Sequence, residues 1–215
     1  MPMAANYPFK IILASASPRR REILRQAGIK FVCVPSHIPE HPPIRGEAPS
    51  DYAIRLATEK AQSIVSKAIE NTLILAADTI VCVDGEVLGK PRSSREARRM
   101  LELLSGRTHH VVTGMAICDG KTQRTQCWSE STRVRFVRMH REEIQAYIRS
   151  GEPFDKAGAY AIQGKAGKFV ERIDGCFYNV MGLPIASVCR RLNLLAANRV
   201  RSGARSKRGL PGKQK

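Results

Sequence analysis

Short apolar runs alternate along this chain with longer stretches of helical periodicity. Residues 10–14 open it as a buried strand. Ser17 then stands where a helix N-cap belongs, with Pro18 at the first helical position. Ile23, Leu24 and Ala27 carry the apolar stripe, and Gly28 closes the helix. Residues 31–34 read as a second short strand, followed by a proline-rich loop from Pro35 to Pro49. Ser50 is placed to cap a long helix whose apolar face is Ile54, Ala57, Ala61, Ile64, Val65 and Ala68.

The plainest buried strand is 73–77, and Asp78 follows it. Residues 80–83, Asp84-Gly85 and Val87-Leu88 predict a hairpin, because Asp-Gly suits the two positive-φ positions of a type I′ turn. Ser93 or Ser94 starts a helix with Ala97, Met100, Leu101 and Leu104 inward, stopping near Gly106. Residues 111–117 and 132–137 form a second hairpin around Asp119-Gly120. A helix over 142–148 ends before Gly151, 169–173 is a late strand, and Pro184 opens the last helix. Strands alternating with helices imply an α/β fold, and the two hairpins make its twisted sheet mixed. Helices flank that sheet. Residues 9–198 make one domain, after a loose N-terminus (1–8) and before a basic, disordered tail (199–215).

Composition narrows the setting. Hydrophobic residues at 43% and charged residues at 26% are those of a globular chain. No apolar run approaches the roughly 18 residues of a membrane span. Ala14-Ser15-Ala16 imitates a signal-peptide cleavage site, but the apolar segment before it is too short and three arginines follow. Six cysteines without a Cys-x-x-Cys pair imply reduced thiols in a cytoplasmic protein. The formal charge of +17 changes the picture more. Seven Lys/Arg and no acid lie in 199–215, leaving 29 basic against 19 acidic residues before it. Body and tail alike attract polyanions: nucleic acid, anionic membrane or nucleotide phosphates.

Ser17-Pro18-Arg19-Arg20-Arg21 puts three cations where a helix dipole disfavours them. The arrangement makes sense around a bound anion, although the same arginines suit a solvated surface. Asp78 after a buried strand suits a metal or an oriented water, or is a plain turn aspartate. Lys90, beside Gly89, is a weak phosphate-binding signal. His37-Ile38-Pro39-Glu40-His41 fits a zinc-protease spacing, but Pro39, Pro42 and Pro43 forbid the helix that would bring both histidines to one face. His109-His110 has no metal-ligand spacing and reads as core or surface. The segment 155–164 mixes charge, glycine and the amide of Gln163 without any period. That amide could read a base edge or cap backbone.

Together these stretches resemble the Maf family of nucleoside triphosphate pyrophosphatases, from about Ile11 to Leu192. The resemblance rests on Leu13-Ala14-Ser15-Ala16-Ser17-Pro18-Arg19-Arg20, Ala77-Asp78-Thr79, Gly85-Glu86-Val87-Leu88-Gly89-Lys90-Pro91, Leu104-Ser105-Gly106-Arg107-Thr108-His109, the 155–164 loop and Met181-Gly182-Leu183-Pro184. It implies a mixed α/β fold with a central cleft, similar to the inosine-triphosphate pyrophosphatases, a homodimer, and hydrolysis of a nucleoside triphosphate to monophosphate and pyrophosphate with a divalent metal (Mg2+, Mn2+ or Co2+). Arg19, Arg20, Lys60 and Lys90 match phosphate-contacting positions. Asp78 matches the proton acceptor, and Glu40 with Asp78 the acidic metal-holding positions.

Ser17 belongs to the same substrate-binding stretch. Arg19, Thr79 and Gln163 all match the branch that prefers dTTP and UTP; the branch resembling 7-methyl-GTP pyrophosphatase carries Trp, Gln and Glu there. His37 and Pro39 replace residues often acidic in the family, and Ala161 stands where glycine is usual. The alternatives are a 7-methyl-GTP-type enzyme, or a nucleic-acid-binding, septum-regulating protein with a vestigial pocket. Nucleic acid would then be reached through the basic tail.

Overall fold

The structure, a computed structural model, describes residues 6–39, 41–68 and 71–208, the last seven as helical backbone only. Among them, one sheet contains β1 (Lys10–Leu13), β2 (Val32–Cys33), β3 (Thr72–Val83), β4 (Glu86–Leu88), β5 (Thr108–Asp119), β6 (Thr125–Phe136) and β7 (Val170–Asp174). Flanking it are α1 (Pro18–Gln26), α2 (Pro49–Gln62), α3 (Ser94–Leu104), α4 (Arg141–Arg149), α5 (Phe177–Val180) and α6 (Ile185–Arg208). The order across the sheet is β2-β1-β3-β5-β6-β7, with β4 beside β3. β1 is parallel to β2 and β3, and the remaining pairs are antiparallel. This is the expected mixed α/β sheet.

β3 decides where a site can lie. Along one edge β5 accompanies it from Leu73 to Cys82. Along the other, β1 pairs only with residues 72–75 and β4 only with 81–83. Residues 76–80 therefore border a break between two neighbours. The sequence pattern ends a strand at Ala77 and starts another at Ile80. Instead, pairing of Asp78 with Gly114 and Thr79 with Thr113 carries one strand straight through. Asp78 thus sits mid-strand rather than at a strand's C-terminal end.

Period-two alternation puts Leu73, Leu75 and Ala77 against Ile23, Leu24, Val188 and Leu192 of α1 and α6. Ile74, Ala76 and Ile80 face α2 instead, against Ala57, Ala61 and Leu56. Asp78 and Thr79 consequently point to opposite faces of the sheet. Gly114 makes the α2 contact possible: a Cβ there would lie 2.1 Å from the Ala53 carbonyl carbon.

Helix boundaries follow the expected chemistry in part. The Ser17 hydroxyl accepts from Arg20 N at 3.5 Å and the Ser93 hydroxyl from Glu96 N at 3.2 Å. Asp84 and Gly85 take φ of 49° and 82°, as the hairpin turn demands. α2 differs, beginning at Pro49 after an uncapped Ala48, because proline's fixed φ already suits a first turn. It ends at Gln62, and Val65 and Ala68 fall in and after a 3-10 turn, short of the expected face.

Tyr7 and Arg199, in segments expected to be loose, are both tied to the fold. Tyr7 stacks on Phe9 at 5.3 Å, and its hydroxyl donates to Asn193 Oδ1 at 3.0 Å. Arg199 bonds Asp119 and Asn71 and lies over the Phe9 ring, while α6 runs on through residues expected to form the tail. Residues 1–5 and 209–215 of those expected segments lie outside the described residues. No described helix is long and apolar enough to cross a membrane.

Candidate active site

A cavity of about 1240 Å3 opens at the break beside β3. Its wall brings together Ser17, Arg19, Arg20, Lys60, Asp78, Thr79 and Lys90, seven of the residues singled out from the sequence. Glu40, expected as an acidic, metal-holding residue, lies outside the described residues. Gln163 is exposed and stands outside the wall. Its neighbours explain why: Tyr160, Ala161 and Ala166 are buried, which turns 163–165 outward.

The wall is a charged surface of one predominant sign. Six basic side chains (Arg19, Arg20, Lys60, Lys90, Arg92, Lys156) face three acidic ones (Asp78, Glu96, Asp155) among the described residues. The start of α1 adds the positive end of its dipole. Such a surface suits a polyphosphate.

Asp78 is 6% exposed and forms an ion pair with Lys60 from α2. The spacing is that of a helix face: Ala53 sits on Gly114, and Lys60 follows two turns later, over Gly114's partner Asp78. The close approach allowed by one glycine therefore sets the Lys60–Asp78 contact.

Arg20 serves differently from a side chain offered to solvent. Its guanidinium donates to Gly182 O at 2.8 Å, Ser15 Oγ at 3.3 Å and Thr79 Oγ1 at 3.1 Å. Thr79 Oγ1 lies 2.9 Å from Thr113 Oγ1, and Thr113 donates to Asn179 O at 3.1 Å. Thr113 has one hydroxyl proton, so Thr79 must be the donor to Thr113 and the acceptor from Arg20. Arg20 and Thr79 thus form the cavity end of a polar ladder that ties α1, β3, β5 and α5 together. Thr113 and Asn179 escape a sequence reading, since isolated hydroxyls and amides carry no spacing signal.

The segment 152–160 forms another wall. Gly158 N donates to Gly89 O at 3.0 Å, tying this segment to the residue before Lys90. Gly158 has φ of 66°, and a Cβ there would come within 2.9 Å of Val81. Burial pushes the Asp155 carboxyl up, but Lys156 and Arg19 outweigh it and hold it below the ordinary carboxylate range. Tyr160 is bonded at 2.8 Å to Nε2 of the buried His109. The sequence reading placed His109 in core or surface, and core is where it lies. The His37–His41 stretch is not helical where described, in keeping with its prolines.

Fold and cavity together define a mixed α/β protein with a cationic cleft at an interrupted strand edge. A family profile described as "Maf-like protein" matches residues 10–195, and the chain belongs to that family. A dTTP/UTP pyrophosphatase of Geobacter metallireducens is 50% identical over 188 residues, 87% of this chain and 97% of the relative. A dTTP/UTP pyrophosphatase of Syntrophomonas wolfei is 49% identical over 190 residues, 88% of this chain and all of the relative. Among solved structures, a HAM1 protein from Coxiella burnetii shows a distant likeness (TM-score 0.41, 21% identity, 62% of this chain and 75% of that one).

Proposed function

We propose that this protein is a nucleoside triphosphate pyrophosphatase that hydrolyses dTTP and UTP to the monophosphate and pyrophosphate, clearing unwanted pyrimidine nucleotides. The observation that carries this reading is the cationic cleft with Asp78 in its wall, in a chain about half identical to curated dTTP/UTP pyrophosphatases. Arg19, Lys90 and the start of α1, with Ser17, hold the phosphates. Arg20 and Thr79 fix the shape of that end of the cleft. Asp78 takes the proton of a water that attacks the α–β anhydride; the new O–P bond forms as the bridging P–O bond breaks, and pyrophosphate leaves. Incoming phosphates compete with Asp78 for Lys60, which releases the carboxylate for that task.

No group of three His, Cys, Asp or Glu among the described residues forms a ready metal cage. The donor set nevertheless fits a hard divalent cation such as Mg2+, Mn2+ or Co2+, which needs only one or two carboxylates when phosphate oxygens supply the rest. Asp78 would hold it, with Glu40 as the second carboxylate. When bound, the cation supplies charge neutralisation and a more acidic water. A cytoplasmic homodimer is the setting this reading implies. Nucleic acid is the alternative partner, reached through the basic C-terminal end.

A nucleotide panel tests the reading. With each of the three metals, UTP and dTTP are expected to yield pyrophosphate and monophosphate faster than 7-methyl-GTP. Release of orthophosphate and diphosphate, or a preference for 7-methyl-GTP, would refute it.

A further inference from the structure

We infer that the ring of Phe154 is the platform on which the substrate's nucleobase stacks, an inference that rests on the nucleotide chemistry proposed above. The basic side chains of the cleft suit the phosphates. They leave open where a flat, weakly polar ring goes. Gln163, a base-reading candidate by sequence, stands outside the wall.

Among the described residues three aromatic side chains line the cavity: Tyr52, Phe154 and Tyr160. Two of them are committed elsewhere. Tyr52 is 8% exposed, donates its hydroxyl to His41 O at 3.0 Å, and lies under the Arg55 guanidinium at 5.2 Å. Tyr160 is 6% exposed, is bonded to His109, and packs edge-on against Phe136 at 4.8 Å. Phe154 is 38% exposed and stacks on no ring or cation among the described residues.

Its backbone is held firmly for a side chain so open. Phe154 sits in a 3-10 turn, Glu152–Asp155, whose Pro153 is buried. Glu152 accepts from the Tyr147 hydroxyl at 3.1 Å and from Lys165 N at 3.0 Å, which clamps both ends of 152–165. A pre-fixed ring loses little freedom when a base covers it.

The ring lines the same cavity as Arg19 and Lys90. The next residue, Asp155, is close enough to Arg19 for their charges to interact. A nucleotide with its phosphates on Arg19 and Lys90 thus lies in the cavity that Phe154 lines. Stacking engages the π face that every base has. Phe154 supplies affinity for nucleotides over bare polyphosphate rather than a choice of pyrimidine over purine.

The test compares UTP hydrolysis with inhibition by inorganic tripolyphosphate, which has no base. Phe154→Ala is expected to raise KM for UTP by about tenfold to a hundredfold, the usual effect of removing a base-stacking ring. The tripolyphosphate inhibition constant should stay within about twofold of the parent, while Phe154→Trp should keep the parental KM, on the same stacking grounds. An unchanged KM in Phe154→Ala overturns the inference, and so does a tripolyphosphate constant that rises in step with KM. A parent chain inactive on every nucleoside triphosphate would instead refute the proposed function, and this inference with it.

Discussion

His109 shows how much a single buried side chain can impose on this site. It is fully buried, its Nε2 meets the Tyr160 hydroxyl, and its Nδ1 has no partner among the described residues. Burial, aided by the neighbouring His110, lowers its pKa to about 4. The unfolded chain therefore binds a proton between about pH 6.5 and 4 that the folded chain refuses. Stability falls as pH drops through that window, by about 3 kcal/mol in total. Thermal unfolding of His109→Gln should be lower than the parent at pH 7.5 but lose less on acidification to pH 4.5. Parallel pH dependences would disprove the assignment. At the same scale, Arg20 looks from its sequence like a phosphate ligand equal to Arg19. Its three bonds to Gly182, Ser15 and Thr79 make it a cross-brace as well. Arg20→Lys keeps the charge but cannot reproduce that fork, so kcat/KM should fall about tenfold or more, as for a lost charged hydrogen bond. Full activity in Arg20→Lys would mean that only its charge matters.

At the scale of elements, the site depends on how closely α2 lies on the sheet. Gly114→Ala places a methyl group 2.1 Å from the Ala53 carbonyl carbon, so α2 must move away. Overpacking of this kind costs about 1–3 kcal/mol. Because Lys60 rides on the displaced helix, kcat for UTP should drop more than global stability alone explains. A variant that loses stability but keeps kcat would separate helix packing from chemistry. This scale also shows what the sequence could and could not disclose. Local signals sufficed where the structure is local: the Asp84-Gly85 turn, the Ser17 and Ser93 caps, and the apolar stripe of α3. They misplaced Asp78, because a charged residue inside an apolar run reads as a strand end. What carries β3 through Asp78 is its ladder with β5, some 35 residues distant in sequence. Gly114 was silent for the same reason, since its neighbour lies on another element. Family resemblance collected seven of the eight described site candidates into one cleft but could not say that Gln163 turns outward. Phe154 carries no motif signal, and only its exposure inside the cavity marks it.

Across the whole molecule, positive charge is spread unevenly, and Arg199, at the start of the basic C-terminal stretch, is tied to the fold. Arg199 joins Asp119, Asn71 and Phe9, linking α6 to the start of β3, the end of β5 and the N-terminal segment. Truncation after Asn198 should therefore lower Tm by a few degrees, about 1 kcal/mol for a part-buried pair and its ring contact, with kcat/KM unchanged. Truncation after Arg201 retains Arg199 and should leave both quantities alone. If the shorter chain is as stable as the parent, the Arg199 contacts contribute nothing; if it loses activity more than tenfold, the basic end takes part in hydrolysis. The cleft itself forms where β1 and β4 leave β3 uncovered, a feature of topology that no single residue encodes.

Pyrophosphate release from UTP by Asp78→Asn, compared with the parent chain under identical metal, is the most direct measurement of all. Asparagine keeps the shape of the side chain but cannot accept the proton, so kcat should fall by about 10²- to 10⁴-fold in a folded protein. Retention of more than a tenth of parental kcat would mean that the carboxylate beside Lys60 is not the group that activates water.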